Sequence, residues 1–324
     1  MRAVVWTAYG PADVLEVREV PRPVPKDNEV LIRIHATTVS PGDCEARSFK
    51  VGIYFIPARL MFGILRPKEG RTLGQELAGE VVSVGKDVTR FKVGDQVYGS
   101  AGFGMGTYAQ YKCLPEDAAL AIKPSTMTYE EAAPVPIAGQ NSLHFLRLAN
   151  IKDGDQVLVY GATGGFGTYA VQIAKHYGAD VSAVCSREGF DLVRSLGAIR
   201  LFDYTKDDFD GSEERYDVIF DPLGFSPFAR CMRVLKDGGR YLLANPSLSD
   251  RLRGRWSSIT TRKKVVTTLA SENAADLDRL RDLVEGGEVT TVIDRTYPLE
   301  DIVEAHRYVE KRTKIGHVVI AVQD

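Results

Sequence analysis

The apolar run Val157–Tyr160 (VLVY) passes directly into Gly161-Ala162-Thr163-Gly164-Gly165-Phe166-Gly167. Thr168–Tyr177 then carries Ala170, Ile173, Ala174 and Tyr177 on one helical face. A buried strand, a turn with four glycines in seven positions and a helix leave few folds open. Glycines allow the sharp turn and let a diphosphate approach the backbone, while the helix N-terminus offers unpaired N–H groups and a positive dipole end. So many glycines are entropically costly unless conformation or ligand demands them. The spacing is Gly161-x-x-Gly164-x-x-Gly167 rather than GxGxxG, and no Gly-Lys-Ser/Thr follows, which disfavours a nucleotide-hydrolysing P-loop. The expectation is a dinucleotide on residues Gly161, Ala162, Thr163, Gly164, Gly165, Phe166 and Gly167; a bare strand–helix turn is the alternative.

The neighbouring pattern supports this. Val181–Cys185, Val218–Phe220, Tyr241–Leu243 and Val265–Leu269 read as short apolar strands, with Phe190–Leu196 as a helix between the first two. Strands separated by helices need crossovers and predict a doubly wound parallel sheet. From Met1 to about Lys123 the texture differs. Runs such as Val30–Ile34, Glu80–Val84 and Gln96–Tyr98, with turns such as Gly94-Asp95, predict a half-buried antiparallel or barrel-like sheet. After Ala270 come a helix (Asp276–Glu285) and a strand, helix (Leu299–Glu310) and strand (Gly316–Val322) that fold back onto the first part. The expected division is 1–123 with 273–324, and 124–272; a length of 324 residues suits two domains.

A net charge of −2 and a hydrophobic share of 44% describe an ordinary soluble globular chain and argue against nucleic acid as a whole-chain partner. Cys44, Cys113, Cys185 and Cys231 stand alone, so neither a disulfide framework nor a clustered zinc site is indicated. The opening MRAVVWTAYG has no apolar leader core; a cytoplasmic location without a membrane span is expected. Residues 51–65 are strongly apolar, with Arg59 as the one charge, yet too short to span a bilayer. A buried lid or interface segment is expected there, with membrane contact the lesser alternative. Arg251, Arg253, Arg255, Arg262, Lys263 and Lys264 surround Trp256. A solvated loop is expected, with RNA or DNA contact and capture of a CoA phosphate as alternatives.

Which dinucleotide binds depends on the end of the second strand, where an NAD site places a carboxylate on the ribose hydroxyls. Here Val181–Cys185 ends in Ser186-Arg187. Ser186 leaves room for a 2′-phosphate, Arg187 can pair with it, and Tyr204 can cover the adenine or the phosphate. NADP(H) is the expectation; the alternative is a register slip that brings Glu188 to the ribose. Asp221-Pro222-Leu223-Gly224 and Ala244-Asn245 follow strands at the carboxyl edge, so Leu223, Gly224, Ala244 and Asn245 are expected to line the nicotinamide side.

These residues resemble the medium-chain dehydrogenase/reductases, and most closely their zinc-independent quinone oxidoreductase branch. The resemblance rests on Gly154-Asp155, Leu158, Ala162, Gly164-Gly165-x-Gly167, Gln172 and Lys175, on Gly74-Gln75-Glu76-x-x-Gly79-x-Val81, and on Val84-Gly85 and Gly94-Asp95-x-Val97. Thr163 departs from it, since a smaller residue is usual there. It implies a GroES-like β-rich domain plus a Rossmann-type domain with the cofactor between them, assembled as a homodimer or homotetramer. The catalytic zinc positions of zinc-containing relatives fall on Ser40, Gln75 and about Ala138, which supply neither thiolate nor imidazole; no metal is expected. Without a Lewis acid, conjugated carbonyls and quinones become the favoured small-molecule substrates, because they spread the added charge. The oxygen that gains charge needs a donor. Ser40 begins Ser40-Pro41-Gly42-Asp43, which resembles the family's Asn-Pro-x-Asp turn, with Asp43 expected to order the turn. Asn141 lies where relatives carry Thr-Ala facing the cofactor, and Tyr54 is a substitute for a tyrosine that Glu45 replaces. The expected activity is NADPH-dependent reduction of quinones or α,β-unsaturated carbonyls. Alternatives are an enoyl-CoA or alcohol/aldehyde reductase, or a low-turnover NADPH-binding structural or RNA-binding protein.

Overall fold

In the computed structural model, residues 1–49, 62–68, 70–207, 209–211 and 214–322 are described. Tyr54 and most of the apolar segment 51–65 lie outside them. The chain divides into two compact units, residues 1–137 with 272–285 and 293–324, and residues 138–271 with 286–292.

The first unit is built on β-branched and apolar alternation. β1 (Arg2–Trp6) and β2 (Leu15–Glu19) pair antiparallel. β3 (Glu29–Val39) is its long central strand, followed by α1 (Pro41–Ser48), β4 (Glu76–Val84), β5 (Gln96–Ser100), β6 (Tyr111–Pro115), β7 (Leu120–Ile122) and the single turn α2 (Tyr129–Ala132). Along β3, Ile32 and Ile34 are buried while Arg33 and His35 are half-buried, the two-residue period that a sheet with one covered face demands.

The second unit is a six-stranded parallel sheet. Its elements in chain order are α3 (Gln140–Ala149), β8 (Gln156–Tyr160), α4 (Gly165–His176), β9 (Asp180–Cys185), α5 (Phe190–Ser195), β10 (Arg200–Asp203), β11 (Tyr216–Asp221), α6 (Phe228–Val234), β12 (Leu235–Leu243), α7 (Leu248–Thr260) and β13 (Lys264–Val266). The spatial order is β10-β9-β8-β11-β12-β13. Every pair is parallel. The order reverses between β8 and β11, the place where open α/β sheets bind ligands at the strands' carboxyl ends. Leu158, Val184, Ile219, Tyr241 and Leu243 form the core beneath that edge.

The chain then returns to the first unit as α8 (Ala274–Glu285), β14 (Ile293–Pro298), α9 (Ile302–Glu310) and β15 (His317–Ala321). The larger sheet of that unit runs β14-β15-β3-β4-β5-β7, with β6 also on β3. Its pairs are antiparallel except β14 with β15. Val318 and Ile320 join Ile32, Ile34 and Leu77 in one core, so the returning segment completes the sheet that the first 122 residues begin.

Three expectations need correction. Residues 124–137, assigned by texture to the second part, belong to the first unit. There Tyr129 stacks on His35 at 4.3 Å between centroids, and the Ile137 N–H donates to Glu76 Oε2 at 2.9 Å. Residues 286–292, in turn, belong to the second unit. Gln172 holds them, donating to the Thr290 carbonyl at 2.9 Å and accepting from its N–H at 2.8 Å. The basic stretch expected as a loop is largely helix α7, started by a capping box between Ser247 and Asp250.

Candidate functional site

The glycine turn sits at the switch point. Gly161 has φ +69°, and its N–H and that of Ala162 donate to the Val184 carbonyl at 2.9 and 3.1 Å, tying the turn to β9. A Cβ on Gly167 would stand 2.2 Å from the Gly161 carbonyl oxygen and 2.7 Å from Ala162 Cα. Glycine there is a requirement of close backbone approach. α4 starts at Gly165 with Gly164 as N-cap, and no side chain caps it. Its first-turn N–H groups have no partner within the helix and present a cradle for an anion.

Other expected segments converge on this turn. Leu223 lies over it, its Cδ1 3.4 Å from where a Gly161 Cβ would be. Asp221 orders the loop that carries Leu223: Oδ1 accepts the N–H groups of Leu223 and Gly224 at 2.9 and 2.8 Å, and Oδ2 accepts the N–H and hydroxyl of Ser226. Gly224, at φ +72°, packs so closely on the Asn245 carbonyl that a Cβ would come within 2.3 Å of it, and the Ala244 N–H donates to the Asp221 carbonyl. Ser142, beside Asn141 at the start of α3, donates to the Phe166 carbonyl at 2.9 Å. The loops after β8, β11 and β12 and the start of α3 thus form one connected edge.

The same holds at the end of β9. Ser186 is half-buried, Arg187 is exposed with its guanidinium 5.4 Å above the Phe190 ring, and the Tyr204 N–H donates to the Cys185 carbonyl at 3.3 Å. That bond brings Tyr204, 60% exposed, beside Ser186. Asp203, the carboxylate ending β10, is turned inward. Thr205 gives it two hydrogen bonds, which hold its carboxyl below the usual range, with nearby Lys206 and Arg187 acting in the same direction. Glu188 is exposed in the short 3-10 turn 187–189. Next to Tyr204 a shallow depression of about 380 Å³ is lined by Thr205, Lys206, Asp207 and Arg230. Lys206 and Arg230 had no signal in the spacing of the glycines, because only the fold brings β10's end and α6 together.

In the first unit, Ser40 caps α1. Its N–H and hydroxyl donate to Asp43 Oδ2 at 2.9 and 2.6 Å, and the Asp43 N–H returns to Ser40 Oγ at 3.2 Å. Asp43 therefore orders the turn, as expected. Its side chain is buried, which pushes its carboxyl above the usual range despite those bonds. Oδ1 has no partner of ordinary hydrogen-bond geometry among the described residues, while Gln75, Gly74 and Tyr108 lie close enough to the carboxyl group to interact with it. Close by, Glu76 accepts from the Thr38 hydroxyl at 2.5 Å and from the Ile137 N–H, yet burial pushes its carboxyl up to about 8. Glu76 appeared in the sequence as part of a signature, with nothing to mark it as a buried neutral acid. Behind Asp43, His306 Nδ1 lies 3.3 Å from Cys44 Sγ and 3.0 Å from Arg47, and burial lowers the imidazole to about 3. The ring is neutral and structural.

A dinucleotide fits the second unit: the close approach at Gly167 and the uncapped start of α4 form a backbone cradle shaped for a diphosphate. A catalytic zinc does not fit the positions where relatives hold it. Ser40's hydroxyl is bound to Asp43, Gln75 offers an amide, and Ala138 offers no ligand atom. Among the described residues no three His, Cys, Asp or Glu side chains gather as a metal site.

Comparison with known proteins agrees with this architecture. Residues 26–124 match the alcohol dehydrogenase GroES-like domain, and residues 196–320 match a domain described as zinc-binding dehydrogenase. The chain is 31% identical over 334 residues to 2-methylene-furan-3-one reductase of Solanum lycopersicum, covering 99% of this chain and 79% of that protein. It is 30% identical to the chloroplastic NADPH-dependent alkenal/one oxidoreductase of Arabidopsis thaliana, again over 99% and 79%. The quinone oxidoreductase of Coxiella burnetii superposes with a TM-score of 0.89 at 28% identity, covering 100% of this chain and 99% of that one. A parallel sheet with a glycine turn at its switch point, a GroES-like unit and relatives that match this chain over nearly its whole length make one conclusion: the chain belongs to the medium-chain dehydrogenase/reductase superfamily, in its quinone oxidoreductase-like branch.

Proposed function

We propose that the chain is an NADPH-dependent, zinc-independent reductase of quinones or α,β-unsaturated carbonyl compounds. The observation that carries this reading is the connected carboxyl edge of the parallel sheet, where glycine backbone, Leu223, Gly224 and Asn245 meet. The oxidoreductases of alkenals and quinones among its relatives support the substrate class. The cofactor is a nicotinamide dinucleotide, which supplies a hydride when bound. The preference for NADPH is supported by the absence of a free carboxylate ending β9, since Ser186 stands there, and by Arg187 and Lys206 nearby. The exposed Glu188 is the competing group.

The protein's own residues bind, orient and supply a proton. The first turn of α4 holds the diphosphate and Asp221 fixes the loop beneath the nicotinamide side. Ser40 is the donor to the oxygen that gains charge, and Asn141 holds the carboxamide or the substrate oxygen. Burial favours the protonated form of Asp43, which can donate to Ser40 Oγ and free the Ser40 hydroxyl proton for the substrate. Tyr54, outside the described residues, is retained as a further candidate donor. A cytoplasmic location and a homodimeric or homotetrameric assembly complete the proposal.

The test is NADPH oxidation by the purified chain against quinones, enones, enoyl-CoA esters and aldehydes, with and without a chelator. Turnover of quinones or enones that survives the chelator is expected. Activity on aldehydes alone, abolished by the chelator, overturns the reading.

A further inference from the structure

The first turn of α7 is closed by Ser247 and Asp250, and its inner face is Gly254 and Ser258. A Cβ on Gly254 would come within 2.7 Å of Val265, and the Ser258 hydroxyl accepts the Val265 N–H at 2.9 Å, so this face is clamped to β13. At roughly 100° per residue, Leu248, Leu252, Trp256 and Ile259 fall on the opposite side in one stripe. They are exposed, from 52% at Leu248 to 72% at Ile259. Arg251 and Arg255 border the stripe on one flank and Arg253 on the other, all exposed. Residues 251–264 hold six basic side chains and no acidic one, in a chain whose net charge is −2.

We propose that α7 is a docking helix for an anionic lipid bilayer, with its apolar stripe in the headgroup–acyl boundary and its arginines reaching up to lipid phosphates. The two halves of the pattern decide the occupant. A nucleic acid would reward the arginines but leave three aliphatic side chains in water. A second copy packed symmetrically over this face would set the arginines against their own mates, with no acidic residue on the exposed stripe to offset them. An anionic bilayer rewards both: aliphatic burial, an indole at the interface, and guanidinium groups that snorkel on their methylene stems. Among the described residues no helix is long and apolar enough to cross a membrane, so contact through α7 is peripheral.

The experiment is co-sedimentation of the full chain with vesicles of phosphatidylcholine alone or mixed with phosphatidylglycerol, read together with tryptophan emission. The chain has two tryptophans and Trp6 is buried, so a shift reports Trp256. Binding to the anionic vesicles with a blue shift, weakened by salt, is expected. The pair Leu252→Ser with Ile259→Ser, and separately Arg251→Gln with Arg255→Gln, should each lower partitioning on the order of tenfold or more. NADPH oxidation in vesicle-free buffer should not change, which separates docking from misfolding. No binding to anionic vesicles, equal binding to phosphatidylcholine alone, or full binding by the serine variant overturns the proposal. So does tighter association with duplex DNA. A Trp256 emission already blue-shifted without lipid, and red-shifted on dilution of a dimer, assigns the face to a second copy instead.

Discussion

At the carboxyl edge of the parallel sheet the candidate site is made of backbone: glycines at 161, 164, 165 and 167, an uncapped helix start, and loops that touch through carbonyls. The candidate cluster around Ser40, in the first unit, is made of side chains, and the acids among them are buried. The first arrangement suits a ligand that carries its own charge and asks the protein for N–H groups. The second suits a reaction in which a proton moves, because burial raises the Asp43 carboxyl above the usual range and pushes that of Glu76 up to about 8, where solvent-exposed carboxyls would be ionised. Substitutions should therefore fail differently. Added atoms break the backbone site, while changed titration alters the side-chain site.

The largest effect is expected at Gly167. Its Cβ position is occupied by the backbone of Gly161 and Ala162, which would have to shift, so Gly167→Ala should lower NADPH affinity more than ~100-fold and destabilise the fold by about 1–3 kcal/mol. Gly154→Ala is the control, since φ +78° strains it but nothing lies within 4 Å; it should cost about 1 kcal/mol and leave the cofactor alone. Calorimetric titration with NADPH and thermal unfolding distinguish the two, and normal binding by Gly167→Ala would remove the turn from the site.

Glu76 tests the other side. Its carboxyl ionises at the ordinary 4.5 when unfolded and at about 8 when folded. The folded state thus holds an extra proton between those values, and the stability present below pH 4.5 is lost as pH rises towards 8. Glu76→Gln cannot ionise, and its amide can donate to Thr38 while accepting from Ile137. Relative to the parent it should gain on the order of a few kcal/mol across that window. Parallel unfolding curves for the two proteins at every pH would show that Glu76 is ionised in the fold.

Part of this was legible in advance for a physical reason. The glycine turn, the strands of the parallel sheet and the Ser40–Asp43 cap are local, since their partners lie within a few residues or repeat with a strand or helix period. What was misread depends on long-range pairing. Tyr129 belongs with the first unit because of His35, and residue 290 belongs with the second because of Gln172. Helix α7 was hidden by a basic composition that reads as a solvated loop, although Ser247 three residues before Asp250 was a start signal. The state of Glu76 had no sequence signal, since protonation follows burial and burial follows the whole fold.

Ser40→Ala removes the proposed donor and leaves the dinucleotide cradle intact. It should lower kcat ~100-fold with KM for NADPH unchanged, beside a capping loss of about 1 kcal/mol. A rate unaffected by this change would pass the role to Asn141 or Tyr54. Arg187→Ala should do the reverse, raising KM for NADPH roughly 10–100-fold, the value of one charge-assisted hydrogen bond, while kcat and KM for NADH hold. Equal effects on both cofactors would favour Glu188 on the ribose.

The smallest effect tests how the backbone site tolerates its one departure from the family pattern. Thr163 stands where a smaller residue is usual, and its Cγ2 fills the space a Cβ on Gly189 would need, 2.1 Å away. The glycine opening the helix after β9 thus accommodates the methyl added in the turn after β8. Gly189→Ala should cost about 1–3 kcal/mol by overpacking. Thr163→Ser, which removes that methyl, should cost little alone and should restore most of the loss in the double variant. A coupling near 1 kcal/mol in the double-mutant cycle is expected from denaturant unfolding. If the two changes add instead, the turn yields by moving its backbone, and the contrast between an edge built of close-packed backbone and a cluster built of side chains weakens at its most local point.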